Sequence, residues 1–592
     1  MLSRTSFRFS ARGTQVACLT APRPGDWRVE TWSLPSAATG GVLLDDLQVR
    51  GPNSQVLPTD AGRVLLCQPL GTDAGGHDLT LGAPAEPARA LATVPTLGLR
   101  VLEHPDPDVL AMAVSTASTP ELTSTVWVVR DTIPIMEPVC TVAGLLAGGC
   151  WLDLDGRRLG LNQVHQGKLV AVVIDLADGT VIPLWPDHPD VRLLFACPGS
   201  GRLVAGDESG ALGCAEPDGR MHWSARLDGT RGAFPLAADP TGEQLAVRID
   251  YGARSGLALY APASDQVTEL QLPAGTVGAT ASWVGDTLRI PFADGEQPAT
   301  VVALRPSHTP AAAQQPVPDR ASDGLQLESF SGPSGPIEAV VHGDWRTAGN
   351  VVVALHGGPD SSWRLDHGPL LLGLAGEDTA VVGVNPRGSH GYRGAHEALH
   401  AGWGNADLAD VLAVTAHITE QRDTTVQLFG VSYGAFLATL ALAAAPTAWA
   451  RAAVVAPFLS GPRLYADGGT RVRALLERLG GTTTHRDELG PRDLAHVAGQ
   501  VRTPLLLMHG AADDVVPVAH SRELADQLRA AGTPVEYVEL ADAAHDPFAG
   551  AAAEAALARI RDFLADAPQG LPAGQDAAVE PRGGTELALE RR

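Results

Sequence analysis

Lysine is almost missing from this chain. Of 43 basic residues only Lys168 is a lysine, and 67 acidic residues leave a net charge of −24. A chain this short of clustered cations is poorly suited to neutralise a phosphate backbone, which argues against nucleic acid as a partner. Cysteine is also scarce: Cys18, Cys67, Cys140, Cys150, Cys197 and Cys214 are the whole set, all in the first 214 residues. They show neither C-x-x-C nor Cys/His ligand spacing, so a disulfide scaffold and a zinc site are both disfavoured and buried free thiols are expected. No stretch approaches the roughly 18 uninterrupted apolar residues of a membrane span. Met1 to Phe9 is polar, carries Arg4 and Arg8, and lacks the apolar core of a signal peptide. The expectation is a cytoplasmic protein with no membrane partner, no metal and no organic cofactor.

With 45% hydrophobic and 19% charged residues, the composition is that of a globular protein. Its 592 residues exceed what one core serves, so at least two domains are expected. Residues 1–305 contain almost no helical pattern. They repeat a unit instead: an apolar strand, a small turn with Asp, Gly or Pro, and a second apolar strand. Phe7 to Ser10 with Gly13 and Val16 to Leu19 is one instance; Leu57 to Asp60 with Gly62 and Val64 to Leu66 is another. Leu236 to Pro240 with Gly242 and Leu245 to Val247 is a third. Similar starts near Leu102, Trp151, Leu193 and Trp283 give about seven copies at a period of about 45 residues. Four-stranded blades cannot bury their faces singly, so the reading is an all-β propeller of about seven blades. A β-sandwich pair or an irregular all-β region is the competing architecture.

Residues 306–323 turn to Pro, Ala, Gln and Ser without periodicity and read as a linker. From 324 to 566 strands and helices alternate, the pattern of an α/β-hydrolase domain with a doubly wound, mostly parallel sheet. Strands are expected at 351–355, 380–384, 426–429, 452–456, 504–509 and 535–540, and helices near 406–420, 435–445, 521–531 and 551–564. The tail, 567–592, is rich in Pro, Gly and Glu and is expected to be disordered.

Within that domain Gly430-Val431-Ser432-Tyr433-Gly434 stands between an apolar strand and an Ala-rich helix. In so Gly-rich a chain roughly 0.3 chance matches to G-x-S-x-G are expected, so the flanks carry the signal. A serine on such a turn is held exposed, and glycines leave room for the backbone on either side. Asp513, past the strand Leu505 to His509, and His545, in the loop before the last helix, complete a Ser, Asp, His chain order. A hydroxyl attacks only once a base takes its proton; His545 can do so and later return it, and Asp513 can fix the tautomer. Asp514 is a rival for Asp513. Donors for an oxyanion are expected from the amide of Tyr433 and from the His356-Gly357-Gly358-Pro359 loop, with Gly358 the candidate. His356 and His509 read as structural. Phe458, Leu459 and Tyr465, after the strand that follows the elbow helix, are candidates for a substrate pocket, with core packing the alternative.

These motifs, together with Asn385-Pro386-Arg387-Gly388-Ser389-His390-Gly391-Tyr392 and Val516-Pro517, resemble the prolyl oligopeptidase family of serine peptidases, nearest its acylaminoacyl-peptidase-like (dipeptidyl/acyl-peptidase) branch. The resemblance runs in order over residues 350–548. It implies Ser432 as nucleophile, Asp513 and His545 as partners, Tyr433 and Gly358 as oxyanion donors, and a propeller that admits only short or unfolded peptides. Departures lie in the same loop: His390 stands where the family often has Thr and Arg393 where it often has Gly, so Arg387 and Arg393 join the candidate substrate contacts. Val515 replaces an Arg that some members use to grip substrate. Paired glutamates that hold a free amino terminus are not identifiable, nor is an N-terminal helix ahead of the first blade. An esterase or acyltransferase using the same three residues is the alternative, since both reactions pass through a tetrahedral intermediate. A propeller scaffold without catalysis is a third reading, opposed by the intact Ser432, Asp513 and His545. The sequence leaves oligomeric state open, a homo-oligomer included.

Overall fold

The computed structural model describes residues 2–565 except 35–40, 71–74, 119–120, 189, 217–218, 230–231, 307–323, 423–424, 542 and 551. The expected linker, apart from Pro306, and the expected tail therefore lie outside the described residues.

Seven consecutive antiparallel sheets occupy the chain up to Leu304, each built from neighbouring strands in sequence. The first is Ser3–Phe9, Gln15–Ala21, Arg28–Ser33 and Val42–Leu43; the sixth is Ala233–Ala238, Leu245–Tyr251, Arg254–Ala261 and Gln266–Leu270. The segment near Leu193 is a full blade of four strands, Arg192–Cys197 to Met221–Asp228. In the seventh, the first strand is broken into Thr276–Val277 and Ser282–Val284, both paired with Thr287–Ala293. Burial explains why the sheets must stack. Leu57, Leu65 and Leu79 of blade two pack on Leu99, Val101 and Ala111 of blade three, and equivalent clusters join each later pair. A buried aliphatic side chain contributes roughly 1.5–3 kcal/mol, available only once the neighbouring blade covers it.

Closure is by packing. Phe7, Phe9 and Val16 of the first blade meet Ala299 and Val301 of the seventh, and Thr280 Oγ1 donates to the Phe7 carbonyl at 2.9 Å. No described strand is shared between the first and last blades.

The second domain holds an eight-stranded sheet: β1 Leu325–Gly332, β2 Gly335–His342, β3 Asn350–Leu355, β4 Thr379–Val384, β5 Val426–Val431, β6 Trp449–Val455, β7 Leu505–Gly510 and β8 Val535–Leu540. Its order is β1-β2-β4-β3-β5-β6-β7-β8; β2 pairs antiparallel with both β1 and β4, and the remaining pairs are parallel. The central runs, Val351 to Leu355 and Leu505 to Met508, are buried on both faces, as covered parallel strands require. Helices Ala406–Arg422 and Tyr433–Ala444 cover one face and Ala553–Ala565 the other.

The two domains interlock at one turn. Gly252 and Ala253 link two strands of blade six, and Ala253 is wholly buried in the hydrolase core with Val352, Phe429 and Leu506. Gly252 donates to the Gly391 carbonyl at 3.0 Å, Ala253 N–H to Glu338 Oε2 at 2.9 Å, and Leu365 N–H to the Ala253 carbonyl at 2.8 Å. Gly252 has φ of 65°, and a Cβ there would stand 2.5 Å from the Tyr392 ring. Gly252→Val should therefore unseat the turn, costing roughly 1–3 kcal/mol. Calorimetry should resolve a separate, earlier transition; one unchanged transition would contradict this docking.

Candidate active site

Strand β5 ends at Val431, and helix Tyr433–Ala444 begins one residue later. Ser432 spans the reversal with φ 54° and ψ −116°, a region that a residue with a Cβ rarely adopts. Holding it there stores roughly 1–3 kcal/mol. The surroundings fix it: Ser432 N–H donates to the Val455 carbonyl at 2.8 Å, and the Ser432 carbonyl accepts from Ala435 and Phe436. The flanking glycines have a steric cause. A Cβ on Gly430 would stand 2.3 Å from the Gly434 carbonyl oxygen, and one on Gly434 2.4 Å from that of Leu355.

His545 reaches Ser432 from the loop after β8. Its Nε2 lies 3.0 Å from Ser432 Oγ, and its Nδ1 lies 2.7 Å from Asp513 Oδ2. The Asp513 side chain, just past β7, is fully buried. Burial alone would raise its pKa, but hydrogen bonds from His509 and His545 and the amides that meet it outweigh that and hold it far below the usual carboxylate range. The amides of Val515 and Val516 both donate to Oδ1 at 2.8 Å. Facing a carboxylate that can only accept, His545 Nδ1 carries the proton, which leaves Nε2 free to accept from Ser432. Asp514 is exposed and takes no part in this chain.

His509 has more to do than the sequence suggests. Wholly buried, it places Nε2 2.9 Å from the Val516 carbonyl and 3.0 Å from Asp513 Oδ2, while Nδ1 meets Ser521 Oγ at 2.6 Å. It braces the turn that carries Asp513. The sequence signal was its place at the end of β7, four residues before Asp513.

The Tyr433 amide opens the elbow helix, so it has no intrahelical partner and lies at the positive end of the dipole. The ring is pinned below: its hydroxyl donates to buried Asp407, and Trp403 packs edge-on at 5.1 Å. On the other side, a Cβ on Gly357 would stand 3.4 Å from Ser432 Cβ, so the HGG loop lies against the serine. The Gly357 carbonyl is turned to His356 Nδ1 at 2.7 Å, which aims the Gly358 N–H of the same planar peptide the opposite way. Burial pushes the His356 ring down to about 4, so at neutral pH it is an uncharged prop.

The candidate substrate contacts fare differently. Arg387 is largely engaged within the fold: Nε and Nη2 grip Asp410, Nη2 also donates to the Ala406 carbonyl and Nη1 to Ser334, which leaves one Nη1 hydrogen of its five. Phe458 is 3% exposed and stacks on Phe436 at 4.8 Å, and Leu459 is 2% exposed. Both belong to the core, the alternative open at the sequence level. Tyr465 donates to Glu477 Oε1 at 2.6 Å, and Arg393 is exposed on the loop after β4.

Three loops at the carboxyl ends of the strands meet the propeller. After β3, Leu365 binds Ala253; after β4, Gly391 binds Gly252; after β8, the Ala549 carbonyl accepts from Trp27 Nε1 at 3.0 Å. The propeller therefore sits on the side of the sheet that carries Ser432 and His545. A cavity of about 510 Å³ lies between the domains, lined by Arg8, Thr280 and Pro291 on one side and Arg364, Asp366 and Pro369 on the other. Among the described residues no cluster of three or more His, Cys, Asp or Glu is placed to hold a metal, and no helix is long and apolar enough to cross a membrane.

Residues 363–570 match the prolyl oligopeptidase family profile. Dipeptidyl aminopeptidase BIII of Pseudoxanthomonas mexicana is 29% identical over 253 residues, 40% of this chain and 36% of that protein. The chain spans about a third of the length of the curated relatives it matches. Two solved structures share the whole architecture. A puromycin hydrolase superposes with TM-score 0.72 at 20% identity, over 95% of this chain and 94% of that one. An acylaminoacyl peptidase of Pyrococcus horikoshii superposes with TM-score 0.71 at 13% identity, over 97% of each. Behind its seven-bladed propeller, this chain thus carries an α/β domain whose residues 363–570 match the prolyl oligopeptidase family.

Proposed function

We propose that this protein is a serine peptidase that hydrolyses short peptides, N-acylated ones included, through an acyl-enzyme on Ser432. The observation that carries the reading is the unbroken hydrogen-bonded chain from Asp513 through His545 to Ser432, at 2.7 and 3.0 Å. In the first step His545 Nε2 takes the hydroxyl proton while Ser432 Oγ bonds the scissile carbonyl carbon. Asp513 offsets the imidazolium charge from behind. The carbonyl oxygen gains the charge of the broken π bond and is met by the Tyr433 and Gly358 amides. His545 then gives its proton to the leaving nitrogen, the C–N bond breaks, and water repeats the sequence to release the acid.

The propeller supports the restriction to peptides. Seated over the strand ends, it excludes folded proteins by size and keeps water from the reacting atoms. Two of the similar proteins, an aminopeptidase and an acylaminoacyl peptidase, agree with that class. With Phe458 and Leu459 closed into the core, the proposal rests on substrate size rather than on a preferred side chain.

A fluorophosphonate probe should label the wild type and fail on Ser432→Ala; persistent labelling would move the nucleophile elsewhere. Asp513→Asn keeps the shape but offers the imidazole the wrong partner, and kcat should fall roughly 10³–10⁴-fold. A peptide cleaved readily when free should resist cleavage inside a folded host protein, as read by mass spectrometry; equal rates would remove the size filter.

Asp513 also links stability to acid. Its folded pKa lies below the ordinary 3.8, so its stabilising effect is complete above about pH 4 and fades as pH falls below that. Urea midpoints of wild type should drop with acid in that range, and those of Asp513→Asn should drop less; parallel curves would contradict the shift.

A further inference from the structure

One histidine bridges the domains beside the candidate oxyanion loop. His390 lies in the loop after β4, between Ser389, whose hydroxyl meets His356 Nε2 at 2.9 Å, and Gly391, which receives the blade-six turn. Its own N–H donates to the Ser361 carbonyl at 2.8 Å. The two ring nitrogens point to carboxylates from different domains. Nδ1 lies 3.3 Å from Asp360 Oδ1, and Nε2 lies 3.7 Å from Asp250 Oδ2. Asp360 follows Gly358 by two residues. Asp250 is on blade six with its side chain fully buried.

We propose that His390 is a positioning residue that ties the Gly358 loop to the propeller, holding the oxyanion amide in place while blade six is seated. The inference rests on the serine peptidase reading for its link to catalysis, though the tie itself does not. The chemistry of the ring carries it. A carboxylate only accepts, and a neutral imidazole has one donor, so a ring facing two carboxylates is satisfied only as imidazolium. The interaction with the Asp250 carboxylate, and then that with Asp360, holds this ring up at about 9, against a smaller opposing effect of burial. Both carboxylates are held below their usual range, so they remain anions throughout.

Arg248 Nε sits 3.2 Å and Arg364 Nη2 3.4 Å from Asp250, and Arg478 Nη1 sits 3.2 Å from Asp360. Of the groups in this cluster, the imidazole is the one held up at about 9. A raised pKa means that the bridge is complete at neutral pH and is lost as pH rises through about 9.

The test compares full-length wild type, His390→Gln and His390→Arg. Turnover of a short peptide p-nitroanilide is followed from pH 6 to 10.5, and hydrogen exchange of residues 248–255 and 356–365 is read at pH 7 and 10. Wild-type kcat should fall above about pH 9 with KM less changed. His390→Gln should lose roughly tenfold in kcat/KM at pH 7, show no such limb, and exchange faster in both segments. His390→Arg, charged at every pH, should recover activity and also lack the limb. A wild-type limb retained in His390→Arg, or unchanged exchange in His390→Gln, overturns the proposal. If wild type neither turns over nor takes a fluorophosphonate, the peptidase reading falls, while hydrogen exchange still decides whether His390 ties the domains.

Discussion

One imidazole is claimed from both sides. Asp513 accepts a hydrogen bond from His545 Nδ1, and Ser432 offers its hydroxyl to Nε2, and most of the second domain serves to keep those distances. None of the three residues is near another in sequence; parallel β5, β7 and β8 bring them to one edge of one sheet. Each is fixed by local means. Ser432 is held by a strained turn between tightly packed glycines, Asp513 by two amides and His509, and His545 by the carboxylate it faces. The strain at Ser432 is tolerable because the helix behind it is buried almost throughout.

The propeller adds confinement. Its seven blades close by apolar contact between first and last, and its grip on the hydrolase is local: the Gly252–Ala253 turn sunk into the other core, Trp27 on Ala549, and the charged cluster around Asp250. That cluster is notable in a chain of net charge −24. At the seam, Arg248, Arg364, Arg478 and His390 gather around Asp250 and Asp360. Gly391, Leu365, Arg364, His390 and Ala549 among these contacts lie on loops at the carboxyl ends of strands, so what seats the propeller also shapes the mouth of the site.

Where local chemistry decides structure, the sequence was legible. The Gly-x-Ser-x-Gly turn could be placed because its glycines answer backbone clashes that any strand–elbow–helix imposes. Asp513 could be preferred to Asp514 by chain order, and Val535 to Leu540 has the expected strand limits. Turn chemistry also marked the seven blades. Where a partner comes from far along the chain, the sequence was mute. Arg387 looked like a free cation because Asp410 is 23 residues away. Phe458 looked like a pocket wall because only the fold sets it against Phe436. The antiparallel β1–β2 hairpin and the short helices Ala395–His400, Gly461–Asp467 and Thr470–Arg478 carry too few turns for periodicity to expose them.

The central claim is that Ser432 Oγ, activated by His545, attacks a carbonyl whose oxygen is received by two backbone amides. A crystal structure with a peptide boronic acid tests it most directly, since tetrahedral boron stands in for the attacked carbon. The account predicts continuous density from Ser432 Oγ to boron, with one boronate oxygen within hydrogen-bond distance of the Tyr433 and Gly358 amides and another near His545 Nε2. Boron bonded to a different residue, or its oxygens turned away from both amides, would contradict it.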